Sequence, residues 1–284
     1  MPDADRWGCE PDVVKLIATD VDGTLLNSSH RISPRTRAAF TAARASGVEV
    51  LAISGRQPYS IGAIVAGTAL EGPVVGSNGS VAVDLASRAV LFEEVIDLDA
   101  QRTIALALLE RFPDAHVVSV RDAGNTYVAQ HGYTGHQDPG HENALWPVVH
   151  RFAHLDEVLA EPSVKLVIRH PDHRVEPEFM LEVARDLHVP GVHPTTSGAP
   201  FLEVGRAGVS KATALARFAA DRGIEASGVV AFGDNLNDVE MLAWAGLGVA
   251  MGNGVPGAIE AADEIALTND ADGVAVVIER LLGL

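Results

Sequence analysis

The sequence has few of the residues and segments that mark several common classes of protein. It contains one cysteine, Cys9, so an intramolecular disulfide is impossible and the Cys/His spacing of a zinc site is absent. No uninterrupted apolar run approaches the roughly 20 residues of a transmembrane helix. The first 12 residues are acidic and hold no apolar segment, so we expect no signal peptide. These absences favour a soluble cytoplasmic protein.

Positive charge is also scarce. Lysine and arginine total 21 against 38 acidic residues, which gives a net charge of -17. Such a field argues against nucleic acid or an anionic membrane as the main partner, although a metal ion or a local group of cations could still hold a small phosphorylated molecule. The lysines number only three, Lys15, Lys165 and Lys211, so the position of each one is of interest.

The apolar pattern of the first part of the chain predicts alternating strands and helices. Residues 13–20 form a β-branched apolar run, which is typical of a buried parallel strand. Ser33 as N-cap, Pro34 in the first turn and Gly47 at the end then predict a helix. Residues 48–54 predict the next strand. This order indicates a parallel sheet with helices on both faces.

The pattern changes near residue 85 to antiparallel strands and amphipathic helices, and the alternating order returns after residue 192. We therefore predict a flexible tail over 1–12, a core formed by 13–84 and 192–284, and an inserted α+β domain over 85–191. The predicted fold class is α/β, with a Rossmann-like doubly wound parallel-sheet core and an inserted α+β cap domain.

Polar residues stand where four predicted core strands end. These residues are Asp20 and Asp22, then Ser54-Gly55-Arg56, then Asn78-Gly79, then the run from Gly233 to Asp238. Lys211 opens a helix between the last two of these strand ends. Ligands of open parallel sheets bind at the carboxyl ends of the strands. The shared position of these groups therefore points to a single site.

Four carboxylates in one crevice would repel one another, by about 4 kcal/mol per pair at 4 Å and an effective dielectric constant near 20. The acids concerned are Asp20, Asp22, Asp234 and Asp238. A hard divalent cation removes this cost, and Mg2+ suits two or three carboxylates with positions left for water and phosphate oxygens. The sequence therefore predicts a magnesium site.

Simpler interpretations exist for each group. Asp22-Gly23 could form an ordinary turn, Asp234 and Asp238 could lie at a solvated helix N-terminus, and Ser54 could be an N-cap. An EF-hand is excluded because positions six and twelve of its loop would be Leu25 and Arg31.

A cation at the start of a helix opposes the helix dipole, so the position of Lys211 favours a role in phosphate binding. The five histidines between 131 and 154 are interpreted as ordinary loop residues.

Four motifs together resemble those of the haloacid dehalogenase-like phosphatases, in the Cof-type branch with a C2-type cap. The motifs are Asp20-Val21-Asp22-Gly23-Thr24, Ser54 in ISGR, Lys211 in GVSKATAL, and Gly233-Asp234-Asn235-Leu236-Asn237-Asp238. The resemblance covers nearly the whole chain from about residue 13, and SNGS at 77–80 fits it too. It includes no motif in the inserted domain.

The resemblance implies a role for each motif residue. Asp20 would attack phosphorus and form an aspartyl-phosphate, and Asp22 would protonate the leaving oxygen and later activate water. Mg2+ would be held by Asp20, the backbone carbonyl of Asp22, and Asp234. The phosphate would be bound by the group Ser54, Gly55, Lys211 and Asn237. The supporting residues would be Gly23, Thr24, Asn78 and Asp238.

The predicted function is Mg2+-dependent hydrolysis of a small phosphorylated metabolite, with a sugar phosphate favoured. A phosphohexomutase-like phosphotransferase remains open because related mutases share the first motif. Haloalkanoate hydrolysis would need no acid at position 22, which counts against it. A phosphate-binding module without catalysis remains open but would not require the nucleophile Asp20. The natural substrate, the oligomeric state and the role of Cys9 do not follow from the sequence.

Overall fold

The computed structural model of the chain describes residues 14–133 and 149–284. The strands are β1 Leu16–Thr19, β2 Glu49–Ile53, β3 Pro73–Gly76, β4 Val81–Asp84, β5 Ala89–Glu93, β6 His116–Arg121, β7 Thr126–Gln130, β8 Val149–Ala153, β9 Lys165–Arg169, β10 Val192–Thr195, β11 Leu202–Arg206, β12 Val229–Gly233, β13 Leu247–Ala250 and β14 Glu264–Ile265. The helices are α1 Pro34–Ala45, α2 Pro58–Val65, α3 Leu98–Arg111, α4 Leu155–Val158, α5 Pro177–Asp186, α6 Lys211–Ala220, α7 Val239–Trp244, α8 Pro256–Ala261 and α9 Gly273–Leu282. Each of these helices in the described ranges is too short or too polar to cross a membrane.

The described residues form two compact units, and the first comprises residues 14–53, 64–72 and 215–284. Its strands lie in the order β14-β13-β12-β1-β2, and every neighbouring pair is parallel. Helix α1 packs on β2 and α9, while α7 packs on β12, β13 and α8. Strands β1, β2, β12 and β13 are buried along almost their whole length, as expected for a parallel sheet covered on both faces, whereas Ile265 of the edge strand β14 is exposed.

The predicted first helix of this unit is confirmed in detail. Helix α1 begins at Pro34, and the Ser33 side chain accepts the backbone N–H of Thr36 as an N-cap. The chain leaves the helix through Gly47, whose φ is +84°. Since the cap, the proline and the glycine act locally, the sequence alone was sufficient to predict both ends.

The second unit comprises residues 54–63, 73–133 and 149–214. Strands β3, β4 and β5 pair antiparallel, and a six-stranded sheet has the order β10-β11-β9-β6-β7-β8. All pairs of the six-stranded sheet are antiparallel except β7–β8. One face of this sheet carries the apolar core shared with α3 and α5, and valines of the opposite face pack with valines of β4.

Two features of the second unit differ from the sequence pattern. Strand β11, assigned by its pattern to the returning parallel core, lies in the six-stranded sheet beside β9 and β10. Strand β10 was not predicted, because Pro194 and the two flanking turn segments hide a four-residue strand. The boundaries of the inserted cap, residues 85 and 191, stay a prediction. The predicted tail over 1–12, with Cys9, lies outside the described residues.

Candidate active site

The topology of the first unit creates a switch point between β1 and β12. From β1 the chain proceeds to β2 on one side, and from β12 it proceeds to β13 and β14 on the other. Ligand crevices of open parallel sheets form where the strand order reverses in this way. Asp20 follows β1 and Asp234 follows β12, and the N–H of Asp20 donates to the carbonyl of Phe232 at 2.9 Å. The two acids are therefore neighbours at the carboxyl edge of the sheet.

Three carboxylates converge at this edge, and we call Asp20, Asp234 and Asp238 the carboxylate cluster. One oxygen from each lies within 4.8 Å of the others. Their residues are 4%, 9% and 0% exposed, so water screens the charges poorly. At such separations each like-charge pair costs about 4 kcal/mol at an effective dielectric constant of 20. A hard divalent cation bound by carboxylate oxygens would offset this repulsion, so the donor set fits Mg2+.

Two residues of the loop after β1 fix the carboxylate of Asp234. The hydroxyl of Thr24 donates to Oδ1 of Asp234 at 2.7 Å, in a buried contact. Gly23 has φ +78°, and a Cβ at this position would lie 2.3 Å from Oδ2 of Asp234. Only glycine permits both this backbone conformation and the close approach of the carboxylate. Gly23 and Thr24 therefore orient a carboxylate of the cluster.

Asp238 stabilises the loop that carries Asp234. Its Oδ2 accepts the backbone N–H groups of Asp234 at 2.9 Å and Asn235 at 3.0 Å. Asn235 and Asp238 form a capping box around the helical turn Leu236–Asp238, which also contains the half-buried Asn237. Asp238, expected as a supporting residue, thus bonds directly to the backbone of the loop.

Asp22 differs from the cluster residues. It is half-buried, and its carboxylate is not one of the three that converge. Its backbone has φ -84° and ψ 124°, and it is non-helical like that of Gly23 beside it in the turn Val21–Leu25. The structure therefore separates the two acids of the first motif into a buried cluster member, Asp20, and a more accessible neighbour.

Sequence reasoning missed two asparagines that hold the same loop. The side-chain amide of Asn253 donates to the carbonyl of Gly23 at 2.8 Å, and that of Asn269 donates to the carbonyl of Leu26 at 2.8 Å. The backbone N–H of Asn269 in turn donates to Oδ1 of Asn253. Asn253 follows the end of β13, so the strand-end rule that selected the other site residues could have found it.

The second unit contains the predicted site residues Ser54, Gly55, Asn78 and Lys211. Ser54 follows β2 and is 2% exposed; its carbonyl accepts the N–H of Asn78 at 3.0 Å, and its Oγ accepts the N–H of Arg56 at 3.2 Å. The chain at Asn78 forms a left-handed turn with φ +55°. We call the segment of residues 54–56 the serine turn. Its conformation is fixed by hydrogen bonds to the neighbouring strand end.

Lys211 begins α6 beside this left-handed turn. Gly79 has φ +105°, and a Cβ there would lie 2.2 Å from the carbonyl oxygen of Ser210. The close contact places the first residue of α6 next to the turn. Lys211 itself is 1% exposed and is among the largest fully buried side chains. A buried ammonium group requires anionic or strongly polar surroundings.

The described histidines of the inserted segment do not join a metal-ligating group among residues 14–133 and 149–284. The rings of His131 and His154 pack edge to face with centroids 4.9 Å apart, and His150 lies 5.1 Å from the Tyr127 ring. Two further histidines, at positions 136 and 141, lie outside the described residues. The packing agrees with ordinary structural roles.

Comparison with known proteins identifies the family. The sequence model for haloacid dehalogenase-like hydrolases matches residues 17–278. The chain belongs to the haloacid dehalogenase-like hydrolases. A 5-amino-6-(5-phospho-D-ribitylamino)uracil phosphatase from Bacillus subtilis is 30% identical over 271 residues, covering 94% of this chain and 95% of the relative. A pyridoxal phosphate phosphatase from Escherichia coli is 29% identical over 276 residues, covering 93% and 97%.

A solved structure of a phosphatase of this superfamily, from Bacteroides thetaiotaomicron, is similar with a TM-score of 0.76 and 26% identity, covering 95% of each chain. The predicted fold class and the Cof-type branch of the family are thereby confirmed. This member of the haloacid dehalogenase-like family is a phosphoric monoester hydrolase.

Proposed function

We propose that the chain is a Mg2+-dependent phosphatase for a small phosphorylated metabolite, with sugar phosphates as the substrate class and an aspartyl-phosphate as the intermediate. The observation that carries this proposal is the carboxylate cluster, which is buried at the switch point and suited to a hard cation. Mg2+ would be held by the carboxylates of Asp20 and Asp234 and the backbone carbonyl of Asp22. When bound, it would neutralise negative charge on the phosphate.

In the proposed first step, an Asp20 carboxylate oxygen attacks phosphorus and the ester P–O bond breaks. Asp22 gives its proton to the departing oxygen, which leaves as an alcohol. In the second step, water attacks the phosphorus of the aspartyl-phosphate while Asp22 takes its proton. The bond to Asp20 breaks, inorganic phosphate is released, and both carboxyl groups return to their starting protonation.

Four residues supply the proposed phosphate contacts. The hydroxyl of Ser54, the backbone of Gly55 and the ammonium group of Lys211 would hold the equatorial oxygens, with the amide of Asn237 assisting. Positioning and charge stabilisation dominate phosphoryl transfer, so fixed donors of this kind supply most of the rate enhancement. We also propose that the inserted segment 85–191 acts as a cap that selects the leaving group.

The proposal is tested with the purified full chain on a panel of phosphate esters, with and without Mg2+. The panel includes hexose 6-phosphates, hexose 1-phosphates, pyridoxal phosphate and 5-amino-6-(5-phospho-D-ribitylamino)uracil. Asp20→Asn, which keeps the volume but removes the nucleophile, is the control. Mg2+-dependent phosphate release that Asp20→Asn lacks is the expected result. Equal release by both proteins would reject the mechanism, and conversion of a hexose 1-phosphate into its 6-phosphate would indicate a mutase.

A cytoplasmic location is proposed with this activity. The single cysteine is compatible with a reducing compartment. Fractionation of cells that express the native chain tests the location, and recovery outside the cytoplasmic fraction would contradict it.

A further inference from the structure

The six-stranded sheet of the second unit contains a buried ion pair that the proposed mechanism does not use. Nζ of Lys165 on β9 lies 2.5 Å from Oε1 of Glu203 on β11, and the two residues are 5% and 1% exposed. They lie on the sheet face opposite the core shared with α3 and α5, since their neighbours Leu166 and Leu202 point into that core. A buried ion pair is rarely more stabilising than apolar residues of the same size, so its presence suggests another role.

Lys165 makes a second hydrogen bond, and this one reaches the serine turn. Nζ donates to the carbonyl oxygen of Gly55 at 2.8 Å. That oxygen belongs to the same peptide unit as the N–H of Arg56, which donates to Oγ of Ser54 at 3.2 Å. Because a peptide unit is planar and rigid, fixing its carbonyl at one side fixes the direction of its N–H at the other. Lys165 therefore controls the group that holds the Ser54 hydroxyl.

Glu203 serves to hold the ammonium group. One of its oxygens bonds to Lys165, while Oε2 is buried and has no hydrogen-bond partner within residues 14–133 and 149–284. An unsatisfied buried oxygen reduces stability, so the carboxylate is poorly explained as a stabilising element. The pair is neutral as a whole, which means that it orients the serine turn without adding net attraction for an anion.

We propose that Lys165 is a positioning residue that sets the orientation of the Ser54 hydroxyl through the Gly55–Arg56 peptide plane. The inference rests on the proposed function in one respect, namely that the serine turn binds the phosphate. Since Lys165 lies at the start of β9 within the predicted inserted cap, the same hydrogen bond couples that segment to the phosphate-binding turn.

The test uses the double variant Lys165→Met/Glu203→Met in the full chain. Removing both charges leaves no unpaired ion, so the protein is expected to fold with an unfolding temperature near that of the wild type. The dissociation constant for inorganic phosphate and the KM for a phosphate ester are each expected to rise about tenfold, equivalent to 1.4 kcal/mol. The affinity for Mg2+ in the absence of phosphate is expected to stay unchanged. The single variant Lys165→Met leaves Glu203 unpaired and is expected to be less stable.

Arg121→Met is the matched control. Arg121 is a buried cation of the same sheet, at 6% exposure, and its acceptors are Ser119, Glu161 and the carbonyls of residues 157 and 158. None of these acceptors belongs to the serine turn. Its loss should lower the unfolding temperature and leave phosphate affinity intact. If the role of Lys165 were purely structural, the loss of Lys165, like the loss of Arg121, would affect stability and leave phosphate affinity intact.

Combination with Ser54→Ala completes the test. If Lys165 acts through the Ser54 hydroxyl, the double methionine variant should raise the phosphate dissociation constant in the wild-type background and add little to Ser54→Ala. Wild-type phosphate affinity in the double methionine variant would overturn the inference, as would full additivity with Ser54→Ala. Failure of the ester panel with retained, Ser54-dependent binding of inorganic phosphate would reject only the proposed reaction. No binding of inorganic phosphate by the wild type would reject the inference.

Discussion

Thr24→Val is expected to weaken metal binding without removing any metal ligand. The variant keeps the shape of the buried side chain but loses the 2.7 Å hydrogen bond to Oδ1 of Asp234. A hydrogen bond to a charged group contributes about 1.5–3 kcal/mol, which corresponds to roughly a 10- to 150-fold change in an equilibrium constant. Loss of residues that support a metal ligand commonly costs about 10- to 100-fold in affinity. We therefore expect the Mg2+ dissociation constant to rise by one to two orders of magnitude.

Isothermal titration with Mg2+ measures this effect directly, and the Mg2+ dependence of phosphate release provides a second measurement. At saturating Mg2+ the variant should recover most of the wild-type kcat, since the nucleophile and the phosphate contacts are intact. Thr36→Val is the control, because Thr36 is also buried but lies in α1, where its partner is Ser33. Equal Mg2+ dissociation constants for the wild type and Thr24→Val would refute the assignment of Thr24 to the orientation of Asp234.

Three further predictions concern the same two units. Gly23→Ala should abolish Mg2+ binding because the added Cβ would meet a carboxylate of the cluster. Gly47→Ala, at φ +84° with open space around it, should lose only about 1–2 kcal/mol of folding stability. Equal Mg2+ titration curves for the two variants would contradict this. Asp238→Asn can still accept both backbone N–H groups, so it should unfold near the wild-type temperature, whereas Asp238→Ala should lose about 1–3 kcal/mol of folding stability. Similar thermal unfolding of the two variants would count against the capping role. Burial raises the pKa of Tyr59 and of Tyr127, whose hydroxyls lie 3.1 Å apart. The unfolded chain therefore releases these protons first, and folding stability should fall as the pH rises above about 10. Denaturant titrations from pH 8 to 11 should show a smaller loss of stability for Tyr127→Phe than for the wild type, and an unchanged loss would exclude this pair as its source.

The positions of the site residues followed from the sequence because they depend on short-range rules. A strand of β-branched residues, a polar residue after it, and the order of strands and helices are sufficient to place Asp20 and Asp234 at one edge of a parallel sheet. The motif resemblance added chemical roles to those positions. Asn253 follows β13 in the same manner, so its place at this edge is also predictable from the strand order.

The contacts that orient these residues could not be predicted in the same way. Thr24 and Asp234 are 210 positions apart, and neither neighbouring sequence indicates that the hydroxyl faces the carboxylate. The pairing of β11 with β9 and β10 depends on which strands lie next to β11 in the folded chain. Short strands with similar alternation fit a parallel or an antiparallel neighbour equally well, so such pairing is decided by tertiary packing.

The few lysines of the chain differ in burial from most surface cations. Lys15 is exposed, whereas Lys165 and Lys211 are 5% and 1% exposed. Of the 21 lysine and arginine residues in the sequence, all except these three are arginine. Two of the three lysines therefore occupy buried positions in the second unit, where exchange for arginine would not be conservative.

The two buried cations of the six-stranded sheet show why the residue types differ. Arg121 donates to four acceptors that surround a planar guanidinium group: a hydroxyl, a carboxylate oxygen and two backbone carbonyls. Within residues 14–133 and 149–284, Lys165 has two acceptors, and both converge on its single nitrogen, at 2.8 Å from Gly55 and 2.5 Å from Glu203. A compact ammonium group fits two convergent oxygens, and a wider fork fits acceptors that are spread in a plane. A composition biased so strongly toward arginine thus retains lysine where the geometry admits only a point charge, and one such place is the carbonyl of the serine turn.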